Sequence, residues 1–188
     1  MNWEALIDDF LQVAHLSGIV LSPDMLTIET LPPRTRAGSL PKNRIAVYIF
    51  FWNDQCLKVG KAGPNSNARY FSQHYNPKSS KSNLAKSILK DRDNLGLVYL
   101  TEATVGDWII ENTTRTNILV DKAVGIPVLS LLESYLQCRL NPGLRALKAR
   151  SDSDGTVIIL SMFTLAIGIC DPCRTGWCKH SPFLLRGR

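Results

Sequence analysis

The sequence has no apolar run long enough to cross a membrane and no N-terminal segment of secretory character. The apolar run VIILSMFTLAIGI, at residues 157–169, has 13 residues, whereas a membrane-spanning helix needs about 18 or more. We therefore expect this run to form a buried strand or a docked helix. Residues 1–18 carry acids instead of the basic segment and apolar core of a signal peptide, which predicts an intracellular, cytoplasmic protein.

Cysteines are few, and two of the five stand alone. Cys56 and Cys138 each lie singly in an apolar stretch, so we predict that both are small buried side chains. The other three form a C-x2-C-x4-C-x-H pattern with a histidine: Cys170, Cys173, Cys178 and His180. This pattern has enough ligands for zinc, although its last two members are unusually close together.

Acidic residues are scarce between residues 58 and 92. This segment, the basic strip, contains eight lysines and arginines but one acid, Asp91, and the whole chain has a net charge of +6. A concentrated positive field favours contact with polyanions such as DNA, and the alternative is a basic face exposed to solvent. The predicted nucleic-acid-binding residues are Lys61, Lys78, Lys81 and Lys86.

With 188 residues, 45% of them apolar, the chain can build a hydrophobic core. Apolar residues at helical spacing predict an amphipathic helix over residues 3–16. The Pro-, Arg-, Gly- and Ser-rich segment 23–43 predicts an irregular arm. We accordingly divide the chain into an N-terminal helix and arm (1–43), a central domain (44–150) and an apolar, Cys-rich tail (151–188).

The stretch RIAVYIFFWNDQCLKVGKAG, residues 44–63, predicts a β-hairpin. Its β-branched and aromatic run 45–51 and the short run 56–59 are joined by WNDQ, which has turn chemistry. Tyr48 and Lys58 then lie on neighbouring strands. Further patterns predict helices over 67–75, 83–91, 107–112 and 128–140 and a third strand over 95–102. The predicted fold class is α+β around a small sheet.

Four side chains of the central domain have the chemistry of a phosphodiesterase. Tyr48 has an ordinary pKa near 10, so it can act as a base only where a cation stabilises its anion. Lys58 and Arg69 can supply that charge and also hold a phosphate. Glu133 falls at the edge of the apolar stripe of its helix, where a half-buried carboxylate suits Mg²⁺. The alternative for Glu133 is an ordinary glutamate on a helix flank.

These residues resemble a known family. AVY (46–48), KVGKAG (58–63), Arg69 and LLESYLQCRLNP (131–142) are similar in order and spacing to the signature of the GIY-YIG nucleases. Lys58 stands where the second triplet usually has tyrosine, and Ala46 replaces a glycine. The resemblance covers residues 44–142 and implies a small three-stranded antiparallel sheet flanked by helices.

The resemblance also implies a function. It implies a metal-dependent endonuclease that hydrolyses DNA, with Mg²⁺ or Mn²⁺ bound by Glu133. Tyr48 would be the general base or would orient the attacking water, and Arg69 would stabilise the transition state. Asn141 matches the family's asparagine, the alternative being a helix C-cap. His74 is added to the catalytic set, although it lies about 140° from Arg69 on an ideal helix, and a surface or capping histidine is the alternative.

Two other functions fit the same sequence. A nucleic-acid-binding module could keep this fold without cleaving DNA, and the lysine at position 58 favours that alternative. A membrane-associated interaction protein built on the apolar tail is the third possibility. Cleavage of plasmid DNA that depends on a divalent cation would separate the enzyme from the binding module.

Overall fold

The structure, a computed structural model, describes residues 1–80 and 83–144. Its strands form one antiparallel sheet in the order β1-β4-β2-β3. The four strands are β1 (Leu26–Leu31), β2 (Arg44–Trp52), β3 (Gln55–Ala62) and β4 (Thr114–Asp121). The α+β class is confirmed, but the sheet has four strands where three were predicted.

The helices of the described residues follow the patterns of the sequence closely. They are α1 (Trp3–Leu16), α2 (Asn67–Phe71), α3 (Leu84–Asp91), α4 (Val105–Asn112) and α5 (Gly125–Leu140), with 3-10 turns at Pro23–Met25 and Lys122–Val124. Asn2 and Asn83 cap α1 and α3 by accepting a backbone N–H three residues on. The helix predicted over 67–75 is shorter than expected, because α2 ends at Phe71.

Two predictions about strands were wrong. Residues 95–102 form turns instead of a strand: Gly96 has φ of +69°, and Leu97 and Leu100 bring apolar side chains into the core three residues apart. The third strand, which pairs with β2 of the hairpin, is β4. Segment 26–31 was predicted to be part of an irregular arm, but it forms β1 and pairs with β4 from Leu26 to Leu31.

The sheet separates two layers of helices. Side chains of a strand alternate between faces, so Ala46, Tyr48 and Phe50 lie on one face, here called the tyrosine face. That face packs against α3 and α4, together with buried residues of α2. The opposite face, which carries Ile45 and Val47, packs against α1 and α5. The described residues belong to one compact unit.

A β-bulge determines which side chains of β3 lie on each face of the sheet. Phe50 pairs with Lys58 and Phe51 with Cys56, which leaves Leu57 as the extra residue. The bulge brings Lys58 and Gly60 onto the tyrosine face. After α5, the backbone N–H of Gly143 donates to the Cys56 carbonyl at 2.8 Å and that of Leu144 to the Leu57 carbonyl at 3.1 Å, which covers part of this edge strand.

Two further predictions have mixed outcomes. Cys56 is buried as predicted, but Cys138 is exposed, because it lies on the outward side of α5. None of the helices in the described part of the chain combines the length and apolar character that a membrane crossing needs. The apolar tail and its four potential zinc ligands lie outside the described residues.

Candidate active site

Tyr48 lies directly over Gly60. The two residues are opposite each other in β2 and β3. A Cβ atom added to Gly60 would lie 2.5 Å from the Tyr48 hydroxyl oxygen and 2.7 Å from two of its ring carbons. Only glycine at this position leaves room for the ring. Gly60 therefore has a steric role, which is to leave room for the Tyr48 ring against β3.

His74 packs against the tyrosine ring from above the sheet. Its ring centroid lies 4.4 Å from that of Tyr48 and 5.3 Å from that of Phe50. Because α2 ends at Phe71, the 140° separation expected from Arg69 does not apply. The chain turns inward instead, and the backbone N–H of Ala85 donates to the His74 carbonyl at 3.0 Å. His74 is 1% exposed, so the alternative of a surface histidine is wrong.

The buried imidazole is neutral. Burial lowers the pKa of His74 well below its ordinary value, and the positive charges of Lys58, Arg115 and Arg69 lower it further. Neither ring nitrogen has a hydrogen-bond partner among the described residues. A neutral histidine between cations can accept a hydrogen bond, but its lowered pKa makes it a weak base and it supplies no positive charge.

Lys58 is a buried cation on the same face. It lies opposite Phe50, is 5% exposed, and its Nζ has no hydrogen-bond partner in the part of the chain that the structure describes. Burial, followed by the charge of Arg69, lowers the pKa of Lys58 to about 8. The amine is therefore still mostly protonated at pH 7, and the site retains its positive charge.

The Tyr48 hydroxyl is a neutral phenol. Burial raises its pKa; the nearby positive charge of Arg69 opposes that effect, the charge of Glu133 raises the pKa further, and that of Arg115 lowers it. No contact of 3.5 Å or less satisfies the hydroxyl within the described residues. The expected lowering of this pKa by Lys58 is not found, because burial dominates and the cations that act on the hydroxyl are arginines.

Glu133 approaches the site from the opposite layer. Its side chain is 19% exposed, which confirms the half-buried position predicted at the edge of the apolar stripe. Lys61 Nζ lies 2.9 Å from Glu133 Oε2 and donates to Ser130 Oγ at 2.8 Å. The negative charge of Glu133 also acts on the Tyr48 hydroxyl, where it raises the pKa. Lys61 points toward α5, so its charge is paired with Glu133 and is not free to contact DNA.

Three further lysines of the basic strip line a separate surface groove. Lys78 is exposed and forms an ion pair with Glu102 at 2.9 Å. Lys86 is exposed in the first turn of α3, and together with Lys90 it lines the same surface groove as Lys78. Lys81 lies outside the described residues. The structure therefore places two of the four predicted DNA-binding lysines together on an open basic groove.

Asn141 ends α5 in the left-handed conformation, with φ of 40° and ψ of 64°. Its backbone N–H donates to the Gln137 carbonyl at 3.1 Å, so it is the C-cap that the sequence offered as the alternative. It lies in a groove with Asp54 and Leu57, next to the start of β3. β3 is the strand that carries Lys58 and Gly60.

Sequence reasoning missed the polar residues of β4. Arg115 and Asn117 are buried on the tyrosine face, and Arg115 Nε donates to Asn117 Oδ1 at 2.8 Å. Asn117 Nδ2 and the Tyr70 hydroxyl both donate to Glu29 Oε2, at 3.0 Å and 3.4 Å. The available signal was the alternation of arginine and asparagine in the β-branched segment TRTNILV, which puts two polar side chains on one face of a strand.

The metal-binding capacity of the described residues is small. They contain no group of three or more His, Cys, Asp and Glu side chains that could share an ion. Mg²⁺ keeps several waters and is often bound by one or two carboxylates plus substrate phosphate oxygens. Glu133, exposed enough to reach solvent, fits that role as a single protein ligand.

Comparisons of the chain with protein-family models, with curated proteins and with solved structures found no match. The resemblance to the nuclease signature therefore stands on the residues and geometry described above.

Proposed function

We propose that this protein is a metal-dependent endonuclease of the GIY-YIG type that hydrolyses DNA phosphodiester bonds. The observation that carries the proposal is the packing of Tyr48 over Gly60 beside His74. The charges of Arg69 and Glu133, on two different helices, both act on its hydroxyl. Residues far apart in the sequence thus converge on one tyrosine.

The charges around Tyr48 suit phosphoryl chemistry. Negative charge accumulates on the phosphate oxygens during hydrolysis, and preorganised cations stabilise it. Lys58 and Arg69 are the cations that would do so. A divalent cation held by Glu133 would add Lewis-acid stabilisation of the same charge. Since the Tyr48 hydroxyl is a neutral phenol, its role is to orient the attacking water by hydrogen bonding.

Substrate access requires a local rearrangement. The Tyr48 side chain has no exposed surface and Lys58 is almost completely covered. Arg69, in contrast, is exposed on the five-residue helix α2. A change of its rotamer is a small movement that would open the tyrosine hydroxyl to a phosphate, and the guanidinium would then follow the phosphate as a ligand.

A second candidate is a DNA-binding module of the same fold that does not cleave. The ion pair between Lys61 and Glu133 at 2.9 Å favours it, because a lysine bound to the candidate Mg²⁺ ligand competes with the metal. The neutral state of Tyr48 favours it as well. In this alternative Lys58, Arg69 and the basic groove bind phosphates without activating water.

The test is incubation of supercoiled plasmid with the purified protein and Mg²⁺, Mn²⁺ or EDTA. We expect nicking with either metal and none in EDTA. Tyr48→Phe should slow cleavage by about 100-fold, as for loss of a group that orients the attacking water. Tyr135→Phe is the matched control, because its hydroxyl donates to the Leu6 carbonyl at 3.2 Å in the opposite layer. Glu133→Gln should also abolish cleavage, while Glu102→Gln should not.

The outcomes separate the two candidates. DNA binding without cleavage in any metal would reject the endonuclease and support the binding module. Cleavage by Tyr48→Phe at the rate of Tyr135→Phe would remove the tyrosine from the chemistry. A protein that neither binds nor cleaves DNA would reject both candidates.

A further inference from the structure

Arg115 is a buried arginine to which the proposed chemistry assigns no role. It is 2% exposed, and its Nε donates to Asn117 Oδ1 at 2.8 Å. Asn117 Nδ2 in turn donates to Glu29 Oε2 at 3.0 Å. Glu29 lies opposite Asn117, and Asn117 lies opposite Tyr48, in the register of β1, β4 and β2. A polar chain therefore crosses the sheet from an exposed carboxylate to the strand position beside Tyr48.

Three aromatic rings surround the Arg115 guanidinium. Its Cζ lies 4.6 Å from the ring centroid of Tyr70, 5.2 Å from that of Phe50 and 5.4 Å from that of Tyr48. At these distances a cation is attracted to the ring, most strongly where water is excluded. Tyr48 also contacts the neutral ring of His74. The ring that carries the candidate catalytic hydroxyl is thus held by one cation and one imidazole.

The charge of Arg115 has no counter-ion in contact. None of the ion pairs between described residues includes Arg115, and its two terminal nitrogens have no hydrogen-bond partner there. A buried charge without a partner is costly, and an apolar side chain of similar volume would avoid that cost. An arginine whose function was only to fill space would therefore be a poor choice for this position.

We propose that Arg115 is a positioning residue, which holds the Tyr48 ring in its place over Gly60. The hydrogen bond to Asn117 fixes the guanidinium on the tyrosine face, and the guanidinium fixes the ring. The catalytic consequence rests on the proposed function, because it matters for cleavage only if Tyr48 orients the water. The structural consequence, a fixed ring, is independent of that function.

The experiment compares Arg115→Met, which keeps volume without charge, with Arg115→Lys, which keeps the charge. Arg139→Met is the matched control, since Arg139 also lies over a tyrosine ring, Tyr135, with Cζ 5.8 Å from the centroid. Each protein is measured for turnover on plasmid DNA, for DNA affinity in EDTA, and by NMR for the Overhauser contact between the rings of Tyr48 and His74. Thermal unfolding is recorded for all of them.

We expect Arg115→Met to lose the ring contact and to lower turnover by about 10-fold to 100-fold with DNA affinity unchanged, as for a misplaced catalytic group. Arg115→Lys should recover part of the turnover. An unchanged ring contact and unchanged turnover in Arg115→Met would overturn the proposal. If that variant unfolds below the assay temperature, Arg115→Gln takes its place, and the ring contact in Arg115→Lys is read as well.

The two proposals fail in distinguishable ways. A parent protein that cleaves no DNA would reject the endonuclease, while the ring contact would still show whether Arg115 positions Tyr48. A parent protein that cleaves DNA, with an Arg115→Met variant of equal turnover and intact ring contact, would reject the positioning role alone.

Discussion

Replacement of Gly60 by alanine should destabilise the fold by about 2 kcal/mol. The added Cβ would lie 2.5 Å from the Tyr48 hydroxyl oxygen and 2.7 Å from two ring carbons. Carbon atoms in good contact are about 3.5 to 4.0 Å apart, so the overlap with the ring approaches 1 Å. The ring cannot simply lift away, because His74 packs against it at 4.4 Å.

The magnitude follows from two opposing effects. Overpacking of a filled core costs about 1 to 3 kcal/mol. Alanine in a strand gains about 0.5 to 1 kcal/mol over glycine, because the unfolded chain loses less freedom on folding. Because His74 holds the ring in place, the cost lies near the upper end of that range, about 3 kcal/mol, and subtracting the gain leaves a net loss of about 2 kcal/mol.

The assay is equilibrium unfolding in urea followed by tryptophan fluorescence. Gly38→Ala is the control, because a Cβ there would have no atom within 4 Å, and it should change stability by less than about 1 kcal/mol. In a Tyr48→Val background the Gly60→Ala substitution should cost little stability, since the tyrosine ring and hydroxyl atoms that the new Cβ would contact are absent. A Gly60→Ala protein as stable as its parent, or an equal loss in both backgrounds, would refute this account of the tyrosine site.

Three other predictions concern charged residues. Lys58→Met should raise the free energy of unfolding at pH 7 by about 3 kcal/mol, because burial and Arg69 lower the pKa of this lysine from 10.5 to about 8. This penalty is complete below pH 8 and disappears above pH 10.5, so unfolding experiments should show the parent, but not the variant, gaining stability between those values. Lys61→Met should lower the Mg²⁺ concentration for half-maximal cleavage, since it frees Glu133, and a metal titration with equal half-points would contradict this. The double substitution Lys78→Ala, Lys86→Ala should weaken binding to unrelated DNA sequences alike and reduce the slope of log K against log salt concentration by about 2. An unchanged slope would mean that these lysines are exposed to solvent and do not contact the DNA.

Local patterns in the sequence predicted much of the framework. The helical spacing of apolar residues predicted α1 and α5, and the hairpin turn is marked by Asn53 and Asp54, which both adopt positive φ. The order of Tyr48, Lys58 and Glu133 along the chain was enough to nominate a site. The helices and the hairpin depend on neighbours within one helix turn or one turn of the chain, so the sequence carries them directly, whereas the grouping of Tyr48 with Glu133 rested on side-chain chemistry and on the resemblance.

The tertiary structure alone decided the character of the site. β1 forms because its backbone pairs with β4, a segment far along the chain, and no local pattern in residues 26–31 records that pairing. Arg115 and His74 meet the Tyr48 ring from a distant strand and from a turn after α2. Burial then makes His74 and Tyr48 neutral and lowers the pKa of Lys58, because desolvation depends on everything packed around a group and not on its neighbours in sequence.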